Sequence, residues 1–562
     1  MEKRVLAAIA LSIAILFLFQ YYQDREMTRS GKTAPAAQRS AQQEIPPAPA
    51  PPRTPDQPSQ PAERALGGKD TIAAARKIIV DGEIYRAEVD NRGALISSWS
   101  LKKYASARNE PFEMIPPRRA RDTFVLPGTL MLDDPELTAA VNGEYYEVEV
   151  AGSAEPAGEL SPPVEIILKL QRGPLAVEKR LRFEKDNYLV ELTSACRRDG
   201  QPIPNRFLVG QDIGPDTEHF LNPSIHLTAI SSQGGKVQRS NPPKDENEVQ
   251  SVAGDIRWVG LDMLYFTIIA IPERPVPGFE IQMVPATVTG LDGKEVTRNL
   301  VRVTVPQAGV AEYLLYMGPK LQAALEAVKR ADLSGAIDYG FFSILVRPLL
   351  AGLIWIERYV HNYGAAIILL TFLLTLALFP FRLKQVISMK KLQVVQPKIK
   401  EIQEKYSRFK KTDPKRAQMN QEIMAIYKEH KVNPLGGCLP LILQMPILFA
   451  FYSLLASSIE LRQAPFWGWI QDLSAKDPYY LLPIIMGLTM LIQQKMTPMT
   501  PGSDPTQAKI FMIMPVVLTF LFLNVSSGLN LYFLCSNIFS IAFQKVAERW
   551  IGDKRLRPKS RK

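Results

Sequence analysis

RLKQVISMKKLQVVQPKIKEIQEKYSRFKKTDPKRAQMNQEIMAIYKEHK, residues 382–431, carries fourteen lysines and arginines against five carboxylates, a net of +9. It stands between Ala365–Phe381 and Cys438–Ala456, two apolar stretches without a single charge. Positive charge at this density beside candidate spans marks the cytoplasmic side of a bilayer. The stretch therefore predicts a membrane protein and fixes its orientation.

The remaining charge agrees. The tail Lys545–Lys562 nets +6, so of the chain's total of +11 the other residues hold −4. Basicity confined to two segments is topological; a nucleic-acid protein would spread it over a folded face, and no DNA partner is expected. Three cysteines far apart, Cys196, Cys438 and Cys535, suggest neither a metal site nor a disulfide framework.

Lys3-Arg4 followed by Val5–Phe19 could be a signal peptide or an anchor. Gln20-Tyr21-Tyr22 replaces a small-residue cleavage site, which favours an anchor over residues 1–23 with its N-terminus inside. Residues 24–75, with Pro46-Pro47-Ala48-Pro49-Ala50-Pro51-Pro52 at the centre, read as a disordered tether. Residues 76–335 are dominated by short alternating stretches such as Ile84–Val89 and Tyr145–Val150, punctuated by Asp81-Gly82, Asn91-Arg92-Gly93 and Asp292-Gly293. This pattern predicts an antiparallel β-sandwich, closed by a helix over Leu321–Leu333.

Phe341–Ile356 is apolar enough to span, yet a crossing there would place the +9 loop outside. It is read instead as an amphipathic helix in the outer interface, within residues 336–360. Further spans are expected at Ala365–Phe381, Cys438–Ala456, Tyr480–Met496, Ile510–Asn524 and Leu529–Gln544, five helices of a core over 361–545. With the anchor they make six, both termini and the basic tail 546–562 lying inside. Within the basic loop, Val395, Ile399, Ile402, Tyr406 and Phe409 follow a 4-3-4-3 seam, Asp413-Pro414 restarts a helix, and Met419, Ile423 and Ile426 resume the seam. That predicts a cytoplasmic helical hairpin over 395–431, either a solvated scaffold or a docking surface for something anionic.

Uncharged polar residues recur at helical spacing inside the spans: Thr371 with Thr375, Ser453 with Ser457, and Asn530, Asn537 and Gln544 with Ser540 on the same face. They read either as interhelical glue or as the lining of a water-filled intramembrane cavity. Enzyme signals are weak. Gly31-Lys32-Thr33 lacks the earlier glycine of a P-loop, and Glu218-His219 with His226 reads more simply as structural than as a metal or acid–base site.

Asn433-Pro434-Leu435-Gly436-Gly437-Cys438-Leu439-Pro440, Gln444-Met445-Pro446, Glu460–Phe466, Asp477–Pro483 and Ser527-Gly528-Leu529 with Leu531-Tyr532 and Ser536-Asn537 resemble the YidC membrane-protein insertases. The resemblance covers Tyr339 to the tail. Asn91–Ala94 and Tyr316–Lys320 look like the periplasmic domain of the Gram-negative form, a β-supersandwich. The resemblance implies an α-helical membrane bundle of six helices, five forming the insertase core, plus an all-β periplasmic domain. It implies a non-enzymatic, cofactor-free insertase and chaperone of the bacterial inner membrane, working alone or with the Sec translocon and its SecD/SecF subunits. Nascent membrane proteins, the ribosome and membrane lipids would be its other partners.

The implied substrate groove would be lined by Thr371, Thr375, Gln444, Ser453, Tyr532, Phe533, Asn537 and Ser540. The family's usual groove arginine is replaced by Thr375, and Phe533 stands where a tyrosine is common. Arg382 and Lys384 at the cytoplasmic mouth, with Lys398, Lys400 and Lys405 on the hairpin, are then expected to attract acidic substrate segments. A membrane-tethered periplasmic carbohydrate-binding or carbohydrate-modifying protein is the alternative, and it leaves the basic hairpin without a purpose. A small-solute transporter would predict inverted repeats, which the chain does not display.

Overall fold

The computed structural model describes residues 73–106, 109–115, 126–151, 159–215, 226–289, 295–409, 415–430, 439–496 and 505–551. The expected anchor, the tether as far as residue 72, Asp292-Gly293, Glu218-His219, Asp413-Pro414 and Cys438 lie outside them; at the tether's end the Ala74 carbonyl accepts from Asn91 Nδ2 at 2.8 Å. The chain divides into two compact units near Met317, which are described separately.

The first unit is antiparallel β-structure. Lys77–Asp81, Tyr85–Asp90, Leu95–Ala105 and Pro111–Glu113 form a four-stranded sheet, and the remaining strands form a fourteen-stranded one. Alternation drives the pairing: Leu175–Phe183 buries Leu175, Val177, Lys179, Leu181 and Phe183 on one face and pairs with Leu189–Arg198 over nine registers. The longest ladder joins Val276–Thr289 to Glu295–Gln307. A short helix, α1 (Pro135–Gly143), is capped by Asp134, whose carboxylate accepts from the Glu136 and Leu137 amides.

Lys179 is the exception in that alternation. It is fully buried, and its ammonium donates to the carbonyls of Gly93, Ala94 and Gly128 at 2.8, 3.3 and 2.9 Å. It thus ties two loops to the sheet. Burial pushes its pKa down to about 7. The folded chain therefore gives up this proton before the unfolded chain does, and stability should rise with pH from about 7 until the unfolded lysine titrates near 10.4, by at most about 1.4 kcal/mol per pH unit. Lys179→Met should lose that slope and, with three carbonyls stripped of their donor, cost about 3 kcal/mol. Urea unfolding of the full chain at several pH values, followed by tryptophan fluorescence, measures both; an unchanged pH slope in the variant would refute the assignment.

The sequence predicts one helix over Leu321–Leu333. The structure holds only α2 (Gln322–Glu326), followed by a turn and a 3₁₀ turn at Ser334–Ala336. No side chain caps the N-terminus of α2, and Leu325, Val328 and Leu333 bury their side chains without a continuous helix.

The second unit is helical: α3 (Ser343–Val360), α4 (Tyr363–Ala377), α5 (Phe379–Lys405), α6 (Lys415–Glu429), α7 (Leu439–Ser457), α8 (Leu481–Met496), α9 (Pro505–Phe522) and α10 (Ser527–Ile551). α3 ends at His361 in the left-handed region, and Asn362 begins α4 by accepting from the Ala365 amide at 2.9 Å. The expected span Ala365–Phe381 is interrupted at Leu378: α4 and α5 are bent by 51° across it. Pro380, in the first turn of α5, has no amide hydrogen to continue the α4 ladder. Similarly α10 continues past the expected Gln544 to Ile551.

Among the described residues no single helix is both long and apolar enough to cross a membrane, although α4 and α5 together pass that test. Gln444–Ser457, Leu481–Met496 and Met512–Phe522 are shorter apolar helices. The hairpin arms α5 and α6 close over Leu392, Val395, Ile399 and Tyr427, with Ile423 and Ile426 beside them. Close packing sets other positions: a Cβ at Gly487 would collide with Thr519 Oγ1, so α8 and α9 touch where only glycine fits.

Candidate functional site

α10 packs against α4, α5, α7 and α8, and its polar face meets polar side chains from three of them. Gln444 on α7 donates to the Tyr532 hydroxyl at 3.2 Å, and Tyr532 stacks on Phe451 with ring centroids 4.1 Å apart. Asn537 donates to Thr489 Oγ1 on α8 at 3.3 Å. The Ser540 hydroxyl donates to the Ser536 carbonyl within α10. Two helix turns along from Asn537, Gln544 donates to the Met496 carbonyl at 3.0 Å, closing the end of α8 onto α10. The result is a polar seam running along α10 inside a set of apolar helices.

Thr371 and Thr375 on α4 are buried, and each donates to the carbonyl four residues earlier: Ile367 at 2.6 Å and Thr371 at 2.7 Å. Their protons are spent on the backbone, so each offers a neighbour only an oxygen lone pair. Ser453 points elsewhere, donating to the Tyr339 carbonyl at 2.7 Å, which ties α7 to the segment before α3. Phe533 lies edge-on to Phe522 at 4.8 Å, on the α9 side. The eight expected groove residues are therefore not one lining. Gln444, Tyr532, Asn537 and Ser540 share the seam, whereas Ser453 and Phe533 serve packing on either side of it.

The cations also divide. Arg382 is half-buried just past the bend, and its guanidinium lies within electrostatic range of the Tyr532 hydroxyl. Lys384 is exposed two residues on. Lys398 approaches His430 Nε2 at 3.3 Å and Lys405 pairs with Glu422 at 3.3 Å, both between the hairpin arms; Lys400 is exposed. Tyr406 also donates to Glu422, at 2.8 Å.

Thr489, Phe451 and Lys390 were not singled out from sequence. Lys390 donates to the Glu548 carbonyl at 3.4 Å and so fastens α5 to α10. Thr489 was legible in principle, as an uncharged polar residue within the expected span Tyr480–Met496. Phe451 and Lys390 carry no local signal, because their partners are 81 and 158 positions away.

The motif segments between these helices are scaffold. Asp477 is fully buried and accepts from Trp469 Nε1 at 3.0 Å and from the Tyr479 and Leu482 amides at 3.0 and 2.7 Å, which caps α8. Asn362 donates to the Pro465 and Phe466 carbonyls, and Gly364 leaves room for the Phe466 ring. Asn530 donates to the Phe522 and Val525 carbonyls, each at 3.2 Å, and closes the turn between α9 and α10.

Comparison with known proteins matches residues 355–554 to the family of the 60Kd inner membrane protein and residues 77–351 to the YidC periplasmic domain. A membrane protein insertase YidC of Syntrophus aciditrophicus is 35% identical, covering 97% of this chain and 99% of its own length. One of Citrifermentans bemidjiense is 35% identical over 98% of this chain and all of its own. Among solved structures, an active YidC insertase with its first transmembrane domain resolved aligns over 84% of this chain and 92% of its own, with 17% identity and a TM-score of 0.35.

Proposed function

This chain belongs to the YidC family of membrane protein insertases, and from that premise we propose that its α10 seam is the path by which a substrate segment enters the bilayer. The family's members are inner membrane proteins, and their substrates are nascent membrane proteins. The activity is insertion, with no bond made or broken by the protein.

In the proposed arrangement α4, α7, α8, α9 and α10 are the five core helices, and the N-terminal anchor adds a sixth. The hairpin and both termini face the cytoplasm, the β-unit faces the periplasm, and α3 lies in the outer interface. Two of the helices suit this reading by their length: α4 and α8, of fifteen and sixteen residues, rise about 22–24 Å against a hydrocarbon core of about 30 Å. A locally thinned membrane lowers the barrier to polar flanks. A substrate helix is drawn in by about 0.3–0.6 kcal/mol per central Leu or Phe, whereas a charged residue there costs about 2.5–3.5 kcal/mol. Polar groups along the seam reduce that second cost during transit, and no nucleotide is needed. Work beside the Sec translocon with SecD/SecF, and reception of chains from the ribosome at the basic hairpin, belong to the same proposal.

The observation that carries it is the run of polar groups along α10, Tyr532, Asn537 and Ser540, met by Gln444 from α7 and by Thr489 from α8 among apolar helices. A photocrosslinker at position 536 of α10 should capture ribosome-bound nascent membrane proteins, while one at the exposed Phe520 of α9 should capture fewer. Equal capture at both positions would remove the seam from the path.

A further inference from the structure

We propose that Arg347 and Arg358 on α3 bind the phosphates of anionic phospholipids, making this helix a lipid-selective clamp. The proposal rests on the reading that α3 lies in the membrane interface, and goes beyond it by naming the lipid class and the residues that choose it.

α3 has two unlike sides. Val346, Leu350, Leu353 and Ile356 are buried, and the helix packs against α4 and α7. On the other side Ile344 is 82% exposed, Trp355 57% and Tyr359 70%, the last two with rings edge-on at 5.0 Å, and Phe341, two residues before the helix, is 93% exposed. A helix face turned to water would be polar; this one is apolar and aromatic. Tryptophan and tyrosine present an apolar body and a polar tip, which suits the level of the headgroups.

Arg347 and Arg358 sit on one border of that apolar arc. Eleven residues apart, they differ by about 20° around the helix and about 16 Å along it. Both are exposed, and among the described residues neither makes an ion pair. Arg347 lies within electrostatic range of Asp332 and Tyr339, but at longer reach than a salt bridge. Each guanidinium thus keeps its donors for an outside acceptor, held beside a surface fitted to acyl chains. Charge complementarity selects the occupant: a guanidinium fork matches a phosphate. Spacing of about 16 Å puts the two phosphates on separate lipid molecules.

The test uses the full chain in vesicles of phosphatidylcholine containing a fixed fraction of phosphatidylglycerol, with brominated acyl chains on one lipid or the other. Emission of Trp355 is taken as the difference from Trp355→Phe. At equal mole fraction of the brominated species, phosphatidylglycerol should quench Trp355 more strongly, with local enrichment of roughly fivefold per arginine at low salt. The excess should shrink at about 0.5 M salt and vanish in Arg347→Gln/Arg358→Gln, while quenching by phosphatidylcholine persists. Equal quenching by both lipids in the parent chain, or selectivity retained in the double variant, overturns the proposal. Absence of quenching by either lipid overturns instead the interfacial placement on which it rests.

Discussion

Removal of residues 398–431 should abolish insertion while the protein remains in the membrane. The deletion takes the last turns of α5, all of α6 and the basic surface between them, but leaves α4 and α7 to α10 intact. The structure also supplies a sharper version. Ile399 is fully buried against Leu392, Val395 and Tyr427 at the centre of the two arms. Ile399→Asp puts an unpaired carboxylate there, a change costing several kcal/mol, against a hairpin held by six apolar side chains. Insertion of a single-span substrate into proteoliposomes should fall by at least tenfold in both variants, with unchanged amounts in the membrane fraction. Full activity of either would mean that hairpin order does not matter.

The second large effect concerns the cations near the seam. Arg382→Ala with Lys384→Ala should slow insertion of an acidic-tailed, single-span substrate by about tenfold, equivalent to about 1.4 kcal/mol. Thr375→Ala should stay within about twofold, because its hydroxyl already bonds the Thr371 carbonyl and its loss leaves no partner stranded. Measured from sequence, Arg382 stands seven residues and about 10 Å beyond Thr375 along a straight helix. The 51° bend at Leu378 ends that straight helix, and Arg382 comes within range of Tyr532. A neutral substrate tail should respond to neither change. Greater damage from Thr375→Ala than from the double variant would place the decisive polarity on the α4 hydroxyl and refute this account.

The same contrast shows what was legible beforehand. The apolar seam of the hairpin could be read from spacing: Val395 and Ile399 are buried as a four-residue period requires. Tyr427, which completes that cluster, could not, since nothing local distinguishes it from an exposed aromatic residue. Thr371 and Thr375, hydroxyls four apart in an apolar run, read from sequence either as interhelical glue or as cavity lining. Their actual bonds run back into their own helix, a choice made by rotamer and packing. The partner of Ser453 is equally out of reach of sequence, its acceptor lying 114 residues away at Tyr339.

What the sequence determined by itself is the set of properties carried by local period and by charge. The two-residue alternation specified an antiparallel β-unit, the +9 block between uncharged stretches specified a membrane protein and its proposed orientation, and the motif segments specified the family. These depend on the residue and its near neighbours, so they survive without three-dimensional knowledge. Only the tertiary structure decided which polar groups face each other. It made α10 the helix on which Gln444, Thr489 and Lys390 converge, broke the expected span at Leu378, and buried Lys179 under three carbonyls. Hydrogen bonds act within about 3 Å, and chain separations of 50 to 160 residues leave no trace of such a distance in the order of the amino acids.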